Sequence, residues 1–425
     1  MNITRIKLVG LVALSLLSFH SVRAQAVENN PESRKEVLGR VSELLEKSAF
    51  VPGIDFSQWD TFIGPQQTQL TAAPNDEAFA RVLNENLFKF AANRHTFVST
   101  PQSNETRRTG KLVGIGIATQ ITDDGLVIIR TIPGAPAALA GLIPGDIIQE
   151  VEGKKVEGTR GIPGQPGTKV KIKVKHADGQ TKVYTLIRKP FSTLRKEELT
   201  TVDKDTVRLT VSTFDFTYDA GNVEALMKKA ANSKSLIVDL RDNPGGAVSN
   251  LQHLLGLLVP DEKPVGTFLT RSIVDKFVSE TGGKPTDLVA IAKWSPNKVR
   301  ASKSSRLPVY KGHVAVLVNG FSGSAAEICA AGLRDTVGAT VVGTKSAGAV
   351  LVSLISDATN GFSLEFPIGD YVTISGTRLE GNGVLPELVA SDPSLRFPTV
   401  EDPVVTKAAA ILTRVRLREE RSASN

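Results

Sequence analysis

The chain has one cysteine, two methionines, two tryptophans and five histidines in 425 residues. A single thiol, Cys329, excludes an intramolecular disulfide and leaves no cysteine pair for a metal. It lies in Ala-Glu-Ile-Cys-Ala-Ala, and those apolar neighbours predict a packed core residue. The histidines are too dispersed for metal-ligand spacing, so no metal site is expected. No phosphate-binding loop is present, and Gly114-x-Gly116 lacks the third glycine of a dinucleotide fingerprint. No cofactor is therefore expected. Lys and Arg outnumber Asp and Glu, 51 to 44, but they are scattered, as in Arg34-Lys35 and Lys228-Lys229. Without a basic block interleaved with aromatics, nucleic acid is not an expected partner.

Long apolar runs are also missing, apart from one near the start. Arg5 and Lys7 precede an uncharged run from Leu8 to Phe19. Val22-Arg23-Ala24 then places small residues at the spacing a signal peptidase reads. The run falls well short of the ~20 residues that cross a bilayer. Residues 1–24 are expected to be a cleaved signal peptide, with the mature chain periplasmic or secreted. Removing Arg5, Lys7 and Arg23 lowers the formal charge from +7 to +4.

What is present changes texture along the chain. Residues 30 to about 100 read as helices, with Val37, Leu38, Val41, Leu44 and Leu45 in one and Phe79, Val82, Leu83, Leu87 and Phe90 in another. From about 109, short β runs alternate with glycine turns, and Lys169 to Lys175 alternates Lys with Val or Ile. Beyond 200, strands (Thr206 to Phe214, Ser235 to Leu240, His313 to Val318, Thr340 to Gly343) alternate with helices (Asn222 to Ala231, Val248 to Leu258, Ala325 to Leu333). This alternation predicts a layered α/β core. Ser272 to Leu307 is polar and poorly periodic, and reads as a loop over the site or a flexible insertion.

Three segments carry a family resemblance. Val113-Gly-Ile-Gly-Ile117, Gly134-Ala-Pro-Ala-Ala-Leu-Ala-Gly-Leu142 and Pro144-Gly-Asp146 together resemble a PDZ domain. Such modules add a peptide strand to a sheet edge and hold its carboxylate on backbone amides. Val113, Gly114, Ile115 and Gly116 are the peptide-binding candidates, the glycines allowing close approach. Ile237-Val-Asp-Leu-Arg-Asp-Asn-Pro-Gly-Gly246 and Val318-Asn-Gly-Phe-Ser-Gly-Ser-Ala-Ala-Glu-Ile328 each read as strand, small-residue turn and helix. In this order behind a PDZ pattern, they resemble the tail-specific (C-terminal processing) protease and tricorn core family.

The resemblance implies a multi-domain α/β (α+β) architecture. The expected domains are the signal peptide (1–24), a helical region (25–108), a PDZ domain (109–191) and a catalytic core (192–425). The implied partners are protein or peptide substrates with C-terminal tails, without an integral membrane segment after signal cleavage. The implied reaction is peptide-bond hydrolysis through an acyl-enzyme.

Acyl transfer needs a nucleophile, a base and donors for the oxyanion. Ser324 precedes a helix, where a hydroxyl is exposed and the helix N-terminus favours a developing anion. It begins the Ser-x-x-Glu-Ile pattern that carries the nucleophile in the resembling proteases. Ser322 is the rival, and an N-cap is the ordinary role for either. The oxyanion hole is expected to combine the Ala325 amide with one from Gly245-Gly246.

The base departs from the Ser–Lys pattern. Ala349, in Val342-Gly-Thr-Lys-Ser-Ala-Gly-Ala-Val350, stands where that pattern has its lysine, and alanine cannot take a proton. Lys345, four residues earlier, is an alternative that would need desolvation. The tricorn-like branch uses a histidine ahead of the PDZ module, and Asn93-Arg-His-Thr96 occupies that place. His95 is then the base, near-neutral in pKa. Glu380, in Glu380-Gly-Asn-Gly-Val384, matches the late glutamate that orients or charge-stabilises the site. Arg94 replaces the serine beside the histidine. Ala349 and Arg94 also keep alive a non-catalytic peptide-binding scaffold, and fold alone leaves a non-proteolytic acyl-transforming enzyme open. Of the remaining histidines, His20 leaves with the signal, His176 reads as a surface hairpin residue, and His253 and His313 as packing or solvent positions.

Overall fold

Asn30 accepts from the backbone N–H groups of Glu32 and Ser33, and Pro31 occupies the first helical position, so a helix opens there and runs Pro31–Ser48. The computed structural model describes residues 30–156, 162–192, 195–260, 263–302, 306–390 and 402–424. The expected signal peptide lies outside them. No described helix is long and apolar enough to cross a membrane.

The expected apolar stripes of the N-terminal helices bury Val37, Val41 and Leu45 from the first and Phe79, Leu83 and Leu87 from the helix Asp76–Ala91. They share one apolar core with Val98, Leu364 and Phe366. The N-terminal helices are thus packed onto a strand more than 250 positions away, Ser363–Thr373. That strand organises a sheet with Phe97–Ser99, Val352–Asp357, Pro264–Thr270 and Val299–Arg300.

Between the N-terminal helices and the core, Ile117–Thr122, Gly125–Thr131, Ile147–Val151, Lys169–Lys175 and Thr181–Ile187 form a separate antiparallel sheet around Ile115, Ile128, Ile148 and Val170. The lysines of Lys169–Lys175 face outward and Val170, Ile172 and Val174 inward, as their alternation predicts. The chain enters and leaves this unit through a two-stranded ribbon, Lys111–Gly114 against Lys189–Ser192.

The core sheet runs in the order Glu198–Thr201, Thr206–Thr210, Ser235–Asp239, His313–Val318, Thr340–Gly343, Leu388–Val389. All but the first pairing are parallel. Ser235–Asp239 is buried at all five positions, as a parallel strand covered on both faces must be. Helices Ala220–Ala230, Val248–Gly256 and Ala325–Val337 cover one face. Helix Pro403–Ser424 covers the other through Val404, Ala408 and Leu412. Cys329 lies fully buried in this core, where burial pushes its thiol well above the ordinary range.

The stretch from Ser272 to Leu307 is not one loose loop. It contains helices Arg271–Thr281 and Leu288–Trp294, which pack Val274, Phe277, Leu288 and Ile291 against Leu269 and Val372. Each helix is short and buries only one narrow stripe, so its apolar period is hard to see among the lysines.

Candidate active site

In the parallel sheet, Asp239 is the register partner of Leu317. The turns that follow Ser235–Asp239 and His313–Val318 therefore leave side by side at the carboxyl ends of neighbouring strands, where α/β sheets place their ligand crevices. One turn carries Gly245 and Gly246, and the other carries Ser324.

Ser324 has φ 51° and ψ −120°, a conformation that costs a residue with a side chain about 1–3 kcal/mol. Several bonds hold it there. Its N–H donates to the Ala349 carbonyl (2.7 Å) and to a Glu327 carboxylate oxygen (3.1 Å), while its carbonyl accepts from Glu327 N–H (2.9 Å). The Glu327 side chain is fully buried and also accepts from the N–H groups of Gly348 (2.8 Å) and Ala349 (2.9 Å) and from the Ser346 hydroxyl. One carboxylate thus ties the serine turn to the 346–349 loop.

Gly245 presses directly on this turn. A Cβ added to it would lie 2.6 Å from Ser324 Cβ and 2.8 Å from the Gly323 carbonyl oxygen. Its φ of 97° also favours glycine. Its amide is not free, because it donates to Asn243 Oδ1 at 2.8 Å. This corrects the expectation that either glycine could be the second oxyanion donor, since only Gly246 remains. The amides of Gly246 and Ala325 meet no acceptor among the described residues. Gly246 packs on the neighbouring strand end, where a Cβ would fall 2.1 Å from the Phe214 carbonyl carbon.

His95 reaches the same cavity from the N-terminal region. Ala92 ends its helix with φ 51°, and the Asn93 side chain accepts from His95 N–H (2.8 Å) and the Thr96 hydroxyl (2.9 Å). This side-chain turn turns the ring inward, to 7% exposure. Together with Ser324, Gly245, Gly246, Ala349 and Glu365, the ring lines a cavity of roughly 670 Å³. Ser324 and His95 are thereby brought together by elements 229 positions apart in sequence (324 minus 95).

The carboxylate touching His95 is Glu365, whose oxygen lies 3.4 Å from Nδ1. The sequence pattern had pointed to Glu380. That residue accepts from Val350 N–H at 2.6 Å and influences the ring only through space. Burial pushes the Glu380 carboxyl above its ordinary range, partly offset by the Val350 N–H and by His95. For His95, burial disfavours the charged ring. The Glu365 contact, the Ala349 carbonyl and the charges of Glu365 and Glu380 outweigh it, so the ring holds its proton more firmly than a free histidine. Nε2 is buried and meets no hydrogen-bond partner among the described residues, the Ser324 hydroxyl included. Arg107, on the helix Pro101–Thr109, pairs with Asp215 at 2.8 Å and approaches Glu365 at 4.0 Å.

The rival residues lie elsewhere. Ser322 is fully buried, with its hydroxyl donating to the Leu240 carbonyl (2.8 Å) and accepting from Asn319 N–H (2.9 Å). Lys345 is exposed and does not line the cavity, so it is not the replacement base. Ala349, which stands at the lysine's position in the motif, lines the cavity and contributes its carbonyl to Ser324. Arg94 also lines the cavity. Glu365 and Arg107 carry no motif. The signal for Glu365 is an acid at an alternating position of an otherwise apolar strand, Leu364-Glu365-Phe366.

In the smaller sheet, Val113 and Gly114 are register partners of Pro190 and Lys189, and the Ile115 side chain is buried in that unit's core. Gly116 has φ 75°, and a Cβ there would lie 2.1 Å from Ala135 Cβ. Its close approach is to its own domain. The amides of Ile115 and Gly116 donate to no described residue, and Ile117–Thr122 is an edge strand. His176 is not a plain surface residue. Its ring bridges buried Asp146 (2.8 Å) and the Tyr184 hydroxyl (2.9 Å). His253 meets the Tyr218 hydroxyl at 2.7 Å, and His313 meets Glu419 at 3.3 Å.

A strained serine against two open amides, sharing a cavity with a histidine–carboxylate pair, is the layout of a serine hydrolase on a multi-domain α/β fold. Residues 205–390 match peptidase family S41, and residues 102–161 match the PDZ domain. A probable CtpA-like serine protease of Staphylococcus haemolyticus (strain JCSC1435) is 25% identical over 300 residues, 69% of this chain. One of Staphylococcus aureus (strain COL) is 24% identical over 292 residues, 67% of this chain. The chain spans about half the length of these relatives, 55% and 54%. Among solved structures, the photosystem II D1 C-terminal processing protease shares the fold with a TM-score of 0.53 at 19% identity, over 84% of this chain and 93% of that one. Mature CPAF complexed with lactacystin shares it with a TM-score of 0.54 at 14% identity, over 91% and 97%. Residues 205–390 are thus similar to a peptidase family S41 core, they follow a segment similar to a PDZ domain, and the chain resembles CtpA-like serine proteases.

Proposed function

We propose that this chain is an exported serine endopeptidase that cuts proteins by acyl-enzyme chemistry at Ser324. The observation that carries the reading is the convergence of Ser324, Gly246 and the His95–Glu365 pair on one cavity, with the open Ala325 amide next in the chain to the serine. Ser324 Oγ attacks the substrate carbonyl carbon while His95 accepts the hydroxyl proton. The carbonyl oxygen becomes an oxyanion between the two amides, donors worth roughly 3 kcal/mol each in the barrier. The amide C–N bond breaks as His95 returns the proton to the leaving nitrogen. Water, activated by the same ring, then hydrolyses the ester and restores Ser324. Glu365 holds Nδ1 and stabilises the imidazolium, and Glu380 adds charge at longer range.

The PDZ unit supports recognition of unfolded segments or C-terminal tails. The edge strand Ile117–Thr122 would pair with the tail, and the free amides of Ile115 and Gly116 would take its carboxylate. The N-terminal apolar run supports export to the periplasm or the medium.

The test is cleavage of an unfolded protein with an apolar C-terminus by the chain and by its Ser324→Ala variant. Cleavage by the first and none by the second is expected. Absence of cleavage by both, while the tail still binds, would favour the peptide-binding scaffold instead.

A further inference from the structure

A second cavity, of roughly 300 Å³, adjoins the one that holds the serine. That volume is at the lower end of the range that takes small ligands, about 300–1,000 Å³. Arg107, Asp215 and Pro244 border both cavities, but neither Ser324 nor His95 lines the second. Its walls come from separate parts of the chain. Arg107 stands on the helix Pro101–Thr109 and Arg130 on the strand Gly125–Thr131 of the smaller sheet. Arg195 lies on the segment that returns from that sheet, and Asp215, Phe216 and Asp242 lie on turns of the core.

The charges in this wall are unevenly matched. Arg107 is engaged by Asp215 at 2.8 Å, and Asp242 accepts from the Asn319 side-chain amide at 2.9 Å. Arg130 and Arg195 have no such bond. Nε of Arg130 is buried without an acceptor, and neither guanidinium forms an ion pair with a described residue. Burial and the neighbouring charge of Arg195 hold the Arg130 pKa below its ordinary value, and the charge of Asp242 offsets only part of this. Two like charges beside a buried, unbonded donor carry a free-energy cost that an oxyanion between them would relieve.

The same wall limits which oxyanion fits. Three guanidinium groups face two carboxylates, which leaves one net positive charge. A singly charged anion balances it, whereas a doubly charged phosphate would be opposed by Asp215 and Asp242. Phe216 lines the cavity with 53% of its surface exposed, so an apolar face stands beside the arginines. We propose that this cavity binds a carboxylate carrying an apolar body, with its oxygens on Arg130 and Arg195 and its body against Phe216. The planar guanidinium fork matches a carboxylate with paired N–H donors. A bound carboxylate would bridge the smaller sheet, through Arg130, to the core, through Phe216. The site is read from binding alone and does not depend on the peptidase reading.

The test is titration calorimetry of the full chain with benzoate and with benzamide, which has the same ring without the charge. Saturable binding of benzoate is expected, with benzamide at least about tenfold weaker. Arg130→Gln and Arg195→Gln should each weaken benzoate at least about tenfold. Arg195 is exposed, so its replacement keeps the test open if Arg130→Gln fails to fold. Phe216→Ser should weaken benzoate more than acetate. N-acetylphenylalanine separates two sources of the same chemistry. Tighter binding than benzoate, through the same two arginines, would assign the site to the carboxylate of a chain end, and weaker binding to a free organic acid. Equal binding of benzoate and benzamide would overturn the site, as would full benzoate affinity in Arg195→Gln. Inorganic phosphate binding more tightly than benzoate would overturn the carboxylate assignment.

Discussion

Nδ1 of His95 lies 3.4 Å from a carboxylate oxygen of Glu365, a residue 270 positions later in the chain. The contact joins the short strand after the N-terminal helices to the long strand that organises the second sheet. It also selects which of two nearby glutamates orients the ring. Replacing Glu365 by Gln removes a partner that raises the His95 pKa and leaves burial, which lowers it. The acid limb of kcat/KM should then move to lower pH, and the neutral-pH value should fall at least about tenfold as imidazolium loses its support. A pH–rate profile of both proteins checks this, and coincident acid limbs would assign the orienting role elsewhere.

The same contact predicts a pH dependence of stability. The His95 pKa is raised in the folded chain, so the folded state binds that proton more tightly than the unfolded one. Its stabilising contribution is complete below about pH 6.5, the ordinary histidine value, and fades as pH rises through the folded value. Urea midpoints should show this loss with rising pH in the wild type, reduced in His95→Gln.

Glu380→Gln should be much milder than Glu365→Gln. Its carboxylate is anchored on Val350 and reaches the ring only through space. A loss of about threefold in kcat/KM is expected, with a small shift of the acid limb. A loss equal to that of Glu365→Gln would restore Glu380 to the central role its motif suggested.

Gly245→Ala should abolish turnover with the fold largely kept. The new methyl would sit 2.6 Å from Ser324 Cβ, and moving the serine by a fraction of an ångström costs at least about a hundredfold in rate. Fluorophosphonate labelling of Ser324 reads this directly. Labelling at the wild-type rate would show that the turn relaxes around the methyl group.

Glu327→Gln tests the anchor beneath the serine. The buried carboxylate accepts from Ser324, Gly348 and Ala349 N–H and from the Ser346 hydroxyl. An amide satisfies fewer of these donors, at a cost of roughly 3 kcal/mol. Denaturant midpoints should fall, and residual activity should drop further than the folded fraction explains.

Much of this was legible in the residues themselves. Helical stripes, alternating Lys-Val strands and small-residue turns are local consequences of side-chain period and glycine geometry, and each appears where its pattern lies. Ser324, Ala325 and Gly246 belong to contiguous motifs, because a strand, a turn and a helix start must adjoin in the chain to build an elbow. His95 was legible only through its resemblance, since Asn93-Arg-His-Thr96 alone reads as a turn. Short elements with narrow apolar stripes, such as Arg271–Thr281, fell below what periodicity can resolve.

Only the tertiary structure decided what depends on register between distant strands. Phe97 opposite Glu365 puts an acid beside the histidine, and Glu365 opposite Ile355 brings a third strand to the same cavity. It likewise engaged the Gly245 amide with Asn243 and left Gly246 free. The amino-acid sequence by itself determined the elements, the serine turn and the resemblance, because these rest on local chemistry. The choice of carboxylate beside His95 and of the glycine amide left open belongs to the fold, because it is made by contacts between segments that have no common sequence signal.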